Sequence, residues 1–518
     1  MAVNPSPGPA QGRARPRPIA CAPPAPVSAA ARIRDRRPRV LVLGDVLLDG
    51  WIRGSARRVA RDGPVPVVEP SSVEVAPGGA GNAAVALAAL GADVEIVCTV
   101  GDDPDGRTVR SALAEAGVRT DRCVLDPARA TAAKRRIVAG DPPGQPVARY
   151  DVVPPGLPGS ATIRALADQA TAALADAPDA VLVADYGLGA LSPAVRRRIA
   201  RARTRIPLLV VDAHDLAPWA GLEPDAVTPS VEEAAAVLRV DLPEQDRLAW
   251  GLEHAEALRT ATGAREVLLT LDVDGSVRLP GKDLGGTPAR RPAGEHAPPS
   301  GACGAGDVFA AAWTAAVASG TSRDQALSLA QTAADVVVTL PGTAVCTAAA
   351  LTCRLAAGDP GTVLSHRDLL TVLGEHRAAG HRIVFTNGCF DVLHRGHVAY
   401  LREAAELGDV LVVALNSDAC VTRLKGPTRP VNPLEDRAGV IGALAAVDLV
   451  TSFDTDSPVE LLDLVRPDVY CKGGDYTPEM LPETPVVERL GGEVRILGYL
   501  ADHSTSAIVA RAAEGAAR

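Results

Sequence analysis

Two histidines stand three residues apart in the stretch Thr386-Asn387-Gly388-Cys389-Phe390-Asp391-Val392-Leu393-His394-Arg395-Gly396-His397-Val398. At that spacing both imidazoles can point at one phosphoryl group. The apolar run 383–385 before it reads as a buried parallel strand, and residues 398–407 after it have helical periodicity. The motif therefore sits on a strand–loop–helix turn. Gly396 lets the backbone approach a ligand, and free amides at the start of a helix attract phosphate. Paired histidines can also cap a helix or satisfy buried polar atoms. The coincidence of strand, glycine, histidine pair and helix favours phosphate chemistry.

Three further groups could do chemistry nearer the N-terminus. Pro77-Gly78-Gly79-Ala80-Gly81-Asn82 opens a helix with small residues that let a ligand touch the backbone, and Asn82 can both donate and accept. A plain structural turn accounts for that stretch about as well. In Gly304-Ala305-Gly306-Asp307, small residues before a helix expose amides that can hold charge developing on a phosphate. Asp307 is then either an N-cap or a base that takes a proton from an attacking hydroxyl. The run Lys134-Arg135-Arg136, with Arg149-Tyr150-Asp151 downstream, is either a solvated face or a strand with Lys134 and Arg136 on one side.

The elements that must position these residues alternate. Strand-like runs at 40–45, 94–97, 180–184, 208–211 and 267–271 are interleaved with Ala-rich helical segments at 81–90, 106–116, 161–175, 193–203 and 307–319. That pattern predicts an open, mainly parallel α/β sheet. Residues 355–364 are turn formers, after which Ser365 opens a helix to about residue 379, with Asp368 three positions after the cap. A second α/β unit follows, with strands at 383–385, 410–415, 469–471 and 494–497. Its polar groups cluster after the strands, where open α/β sheets bind ligands. The expected division is a Pro/Arg-rich disordered tail at 1–38, a first domain at 39–354, a linker and connecting helix at 355–380, and a second domain at 381–518.

At 518 residues each domain can bury a real core, and with 47% apolar but only 3% aromatic residues that core must be mostly Ala, Val and Leu. A net charge of −9 argues against nucleic acid as a partner. The nine cysteines show no zinc-like spacing and read as free thiols of a reducing cytoplasm. Charges near the N-terminus are followed by no apolar signal region, and no stretch is apolar enough for a bilayer. A soluble cytoplasmic protein is expected.

His394-Arg395-Gly396-His397 resembles the HxGH signature of the nucleotidyltransferase superfamily. Residues 40 to about 350 resemble the ribokinase-like (PfkB) sugar kinases. Gly44-Asp45 and Asp49 match their first sugar-binding strand, Gly78-Gly79-Ala80-Gly81-Asn82 their GGxxN, and Asp185-Tyr186-Gly187-Leu188-Gly189 their D-Y-x-K-G element, with Leu188 where Lys is usual. Gly304-Ala305-Gly306-Asp307 matches their GAGD. The order HxGH, NSD, RLKGxxRPVNPLEDR, KGGDY and STS is similar to the adenylyltransferase half of the bifunctional heptose enzymes. The implied fold is a ribokinase-like α/β domain followed by a Rossmann-like nucleotidyltransferase domain.

The resemblance further implies Asp307 as the kinase base and Gly304, Ala305 and Gly306 as its charge-stabilising loop. Asp45, Asp49, Gly78, Gly79, Asn82, Lys134, Arg136 and Arg149 would hold the sugar phosphate. Ser230 and Glu233 would lie near the nucleotide, with Mg²⁺ carried mainly by phosphates, near Glu233. In the second domain His394 and His397 would be catalytic. Thr386, Asn387, Gly388, Phe390, Lys425, Arg437, Lys472, Ser504 and Thr505 would complete the phosphate cradle. ATP is the implied co-substrate, sugar phosphates the other substrates, and a homodimer the expected assembly. Two departures stand out: Gly301, Ala302 and Cys303 replace the usual Asp and Thr before GAGD, and Ser230 replaces an Asn. They leave open an alternative, a cytidylyltransferase of another sugar- or polyol-phosphate fused to a weak or inactive kinase-like domain.

Overall fold

The computed structural model describes residues 20–21, 25–140, 144–242, 246–281, 284, 287–293, 303–358, 361–474 and 477–498. Among them nine strands form the first sheet, in the order Ala20–Cys21, Ala289–Arg291, Ser276–Pro280, Glu266–Thr270, Ala226–Val227, Leu209–Ala213, Ala180–Asp185, Arg39–Gly44, Asp93–Val97. The six strands from Glu266–Thr270 to Asp93–Val97 run parallel. Strand Arg39–Gly44 shows why its sequence is an unbroken apolar run. Its alternate residues serve two cores, Val40 and Val42 facing one layer of helices, Leu41 and Leu43 the other.

Helix Ala305–Ala318 is buried continuously from Asp307 to Ala316. Its alanines let it lie close against the equally Ala-rich helix Ala80–Ala89. Extra methylenes in such a contact cost about 1–3 kcal/mol through overpacking. Close packing here holds the Asp307 end of the helix against Asn82 of its neighbour.

A smaller sheet, Pro66–Gly79, Val46–Val59, Ala133–Ala139 and Gln145–Val152, stands beside the first. The second domain has six parallel strands in the order Val363–Leu364, Leu449–Phe453, Val410–Asn416, Ile383–Gly388, Val469–Gly473, Glu493–Leu497. Helix His366–Ala378 begins as expected, with Ser365 Oγ accepting from the Asp368 amide at 3.1 Å.

Two expectations need correction. The supposed tail at 1–38 contains the helix Val27–Arg36, which buries Val27, Ala29, Ala30 and Ile33. Arg34 of that helix pairs with Asp368, and Asp35 accepts from Arg367 at 2.6 Å, so the segment ties the connecting helix to the first domain. The linker is also more structured than its turn formers imply. Helix Ala348–Gly358 covers its start, and Val363–Leu364 is an edge strand of the second sheet. Among the described residues no helix is long and apolar enough to cross a membrane.

Candidate functional sites

The first site is a cavity of about 250 Å³ at the carboxyl ends of the parallel strands, under the smaller sheet. Strands Val46–Val59 and Ala133–Ala139 pair in parallel with Asp49 opposite Lys134 and Trp51 opposite Arg136. That register sends Lys134 and Arg136 into the cavity and Arg135 to the other face, where its guanidinium binds Asp105 at 2.6 and 2.7 Å. The strand reading of the basic run therefore holds. Arg136 donates to Asp49 at 3.1 Å and lies 4.8 Å from the Trp51 ring, a cation held by a carboxylate and an aromatic face.

Asp307 enters from the opposite wall. Gly304, at φ +83°, is the N-cap of its helix, and Asp307 accepts no amide of its own helix turn. Instead Asn82 Nδ2 donates to its Oδ2 at 2.8 Å, and the Tyr186 hydroxyl donates to its Oδ1. Asp307 is therefore not the N-cap of its helix, and its carboxylate is held by side chains of neighbouring elements. Burial pushes its pKa up to about 6. Asp212 is pushed to about 7 by burial and by the charges of Asp307 and Glu233.

Not every expected residue reaches this cavity. Asp45 lies outside it and accepts three backbone amides, from Tyr186 at 3.1 Å and from Leu188 and Ala190 at 2.8 Å each. It shapes a loop rather than meeting a sugar. Arg149 is half exposed and spends its guanidinium on Asp151 at 2.9 and 2.7 Å. Gly78 serves by lacking a side chain, since a Cβ there would lie 2.7 Å from the Asp49 carboxylate. Gly79, Gly304 and Gly306 line the cavity, and Ala305 does not. Ser230 caps helix Val231–Leu238 in a capping box with Glu233, whose other oxygen meets His214 Nδ1 at 2.6 Å. Gly301 and Ala302 lie outside the described residues.

The second cavity, of about 150 Å³, opens at the histidine motif. His394 is the N-cap residue of helix Arg395–Ala405 yet makes no side-chain cap, and its ring stacks on that of His397 at 3.8 Å. His397 lines the cavity, with Phe390 5.2 Å away on another side. Burial, then His394 and Lys425, push the His397 pKa down to about 4, so a neutral imidazole faces the space. Lys425 and Lys472 line it too, and burial lowers the pKa of Lys472. Asn387 Oδ1 accepts from Lys472 at 3.1 Å and from the Tyr470 hydroxyl at 2.8 Å. This donor set, one imidazole and two lysines, suits an anionic ligand.

Thr386 and Arg437 need correction as cradle residues. Thr386 is fully buried under the floor, hydrogen-bonded to the Tyr400 hydroxyl. Arg437 is buried and holds the site's loops together. It donates to the carbonyls of Cys389, Asn416 and Asn432 at 2.7, 2.9 and 3.0 Å and to Asp418 at 2.6 Å. Ser504 and Thr505 lie outside the described residues. The sequence reading missed Asp212 and Asp391. The first ends an apolar strand at the ligand-binding edge of the sheet, a signal that could have found it. Asp391 accepts from the Val431 and Asn432 amides at 2.7 and 3.1 Å, pinning the 423–433 loop beside the cavity.

Two separate polar cavities on two α/β units suit a two-part transferase, and comparison with known proteins agrees. The model of the pfkB family carbohydrate kinases matches residues 38–151 and 208–350, and the cytidylyltransferase-like model matches residues 385–510. The bifunctional protein HldE of Pelobacter propionicus is 36% identical over 492 residues, covering 93% of this chain and 97% of its own. Those of Hahella chejuensis and Pseudomonas aeruginosa are 37% and 38% identical, over 91% and 92% of this chain and 96% and 97% of theirs. The chain belongs to the HldE family of bifunctional kinase–nucleotidyltransferases.

Proposed function

We propose that the chain carries out two non-consecutive steps of ADP-heptose synthesis. In the first, ATP phosphorylates the anomeric hydroxyl of D-glycero-D-manno-heptose 7-phosphate. After a separate phosphatase removes the 7-phosphate, heptose 1-phosphate attacks the α-phosphate of a second ATP, giving ADP-heptose and pyrophosphate. One observation carries this reading. A single chain holds a buried carboxylate at the head of an amide-presenting helix and, separately, a neutral histidine with two lysines.

In the kinase step Lys134 and Arg136 hold the sugar's 7-phosphate. Asp307 takes the anomeric proton, and the Gly304 to Gly306 turn meets the charge growing on the transferred phosphoryl group. A magnesium ion bound with the nucleotide would supply charge neutralisation on its phosphates. Among the described residues no three His, Cys, Asp or Glu side chains form a cage, and Glu233 is already committed to Ser230 and His214. Glu233, which lines the cavity, is the residue that would face such a metal.

In the second step the nucleophile is already an anion, so no strong base is needed. His397 donates a hydrogen bond to the α-phosphate without carrying charge, while Lys425 and Lys472 neutralise the leaving pyrophosphate. A cytoplasmic location accords with the described cysteines all being free, Cys98 and Cys123 included, whose sulfurs lie 3.5 Å apart. A homodimer is part of the same reading.

The test is incubation with heptose 7-phosphate and ATP, with and without the phosphatase, followed by mass spectrometry. A bisphosphate without phosphatase and ADP-heptose with it are expected. Turnover of CTP in place of ATP, or no bisphosphate at all, would overturn the respective half.

A further inference from the structure

Tyr186 belongs to no step described so far, yet much of the first domain is arranged around its ring. Its backbone amide donates to Asp45, and two more amides of the same loop, Leu188 and Ala190, are held by the same carboxylate. Asp45 keeps its place at the cost of burial, which lifts its pKa to about 6. On the other side, Gly79 sits at φ +61°, and a Cβ there would come within 3.2 Å of the Tyr186 ring and 2.7 Å of the Asp45 carbonyl. The ring edge meets His214 in a T-shaped contact at 4.8 Å. The loop, the glycine and the histidine thus fix where one phenol points.

It points at the base. The Tyr186 hydroxyl donates to Asp307 Oδ1, with Asp212 Oδ2 a more distant acceptor at 3.4 Å, while Asn82 donates to Asp307 Oδ2 at 2.8 Å, so each oxygen of the Asp307 carboxylate has its own donor. Other titratable groups face Asp307 as well. Asp49 comes from one strand and Lys134 from the next, Asp212 from the end of a central strand, and Cys303 from the turn before the helix. Two carboxylates against one lysine, in a buried setting, favour the protonated acid. Proton donors on both oxygens favour the anion. Burial and the neighbouring carboxylates also drive the phenol's pKa far above its ordinary value, so it remains a donor.

We propose that Tyr186 is a positioning residue for phosphoryl transfer: with Asn82 it clamps the Asp307 carboxylate, keeping it aimed and ionised in the cavity. Asp45 acts one step further out, by holding the loop on which Tyr186 stands. The proposal rests on Asp307 being the kinase base. In that step the anomeric proton passes to Asp307 as the new oxygen–phosphorus bond forms. The bond from the γ-phosphorus to the bridging oxygen breaks, and ADP leaves with that electron pair. Tyr186 gives up no proton and gains none.

The experiment compares wild type with Y186F in two readouts. The first is the titration of Asp307 itself, followed by carbon NMR of aspartate-labelled protein and assigned with D307N. The second is the pH profile of kcat/KM for the sugar phosphate. The wild-type midpoint is expected near 6. In Y186F it should rise by about one unit, the scale of one lost hydrogen bond to a charged group. Phosphorylation then falls about tenfold on the acid limb and recovers towards the wild-type plateau at alkaline pH. Adenylyl transfer by the same protein should not change, and an unchanged dispersion of the other aspartate signals checks that the first domain is folded.

A midpoint that stays put or falls overturns the proposal, as does a loss of rate that is uniform across pH. Should Y186F fail to fold, D45N takes its place and must shift the midpoint the same way by a smaller amount. If wild type phosphorylates no sugar, the kinase reading fails, while the NMR titration still decides whether the clamp exists.

Discussion

In the first cavity two buried acids are pushed upward, Asp307 to about 6 and Asp212 to about 7, while Glu233 is lowered and His214 raised by their pairing with each other. In the second two bases are pushed downward, His397 to about 4 and Lys472 below its ordinary value, beside the Cys389 thiol and Tyr400 phenol, which burial raises, and Asp391, which its donors hold low. Burial is the first cause for Asp307, Asp212, His397 and Lys472, because it disfavours whichever form is charged. The chemistry proposed for each pocket accounts for why the same cause acts on opposite groups. Moving a proton off a hydroxyl calls for a carboxylate whose proton affinity has been raised towards that of its task. Accepting an anion that is already a nucleophile calls for donors that keep their hydrogens and add little repulsion among themselves. The stacked pair His394 and His397 could not both be cations at 3.8 Å without cost.

The sharpest break of this comparison is D307N. Phosphorylation should fall by about 10²–10⁴, the usual range for a lost general base, with adenylyl transfer untouched. Steady-state assays of the two reactions on one preparation check it, and a wild-type kinase rate would return Asp307 to a structural role. H397A should do the reverse, costing adenylyl transfer about 10²–10³ while phosphorylation continues. If both activities drop in a folded protein, the pockets are coupled in a way their separate geometries do not convey.

Acidity separates them next. Ionised Asp307 predominates above about pH 6 and is lost as pH falls through that value, so kcat/KM for the sugar should drop about fivefold between pH 6 and 5. His397 is neutral throughout that window, because its midpoint near 4 lies below it, and adenylyl transfer should show no limb from this residue there. Parallel pH profiles of the two reactions would erase the distinction. The smallest effect is expected from R149A. With its guanidinium already committed to Asp151, its loss should change KM for the sugar phosphate by less than about threefold, within the weak range of exposed pairs.

How far the sequence reached depended on what each residue's role required. The alternation of apolar runs and alanine-rich segments was legible because strands buried on both faces and helices on a sheet each leave a period. Glycines before a helix and histidines three apart were legible because backbone approach and spacing are local facts. Direction was not. Arg437 carries the charge of a phosphate ligand and stands in a motif of such ligands, but tertiary packing turns it to three loop carbonyls. Asp45 and Thr386 likewise have the right chemistry and face the wrong way. The helix Val27–Arg36 was hidden for another reason. Its prolines and arginines lie before and around a short apolar stripe, and only a partner surface makes that stripe worth burying.

Strand Val363–Leu364 carries a consequence for how the two halves could ever part. It precedes the connecting helix, yet it completes the second sheet by pairing with Val450 and Thr451, and the Thr451 hydroxyl donates to its Leu364 carbonyl at 2.9 Å. A gene split at the first residue of the histidine-bearing domain would leave that neighbour as a bare margin, open to pairing with another chain. Any independently inherited adenylyl-transferring half would therefore have to carry upstream residues that look, by position, as though they belonged to the kinase. The second sheet thus begins at Val363, ahead of the connecting helix, in what looks by sequence like a spacer.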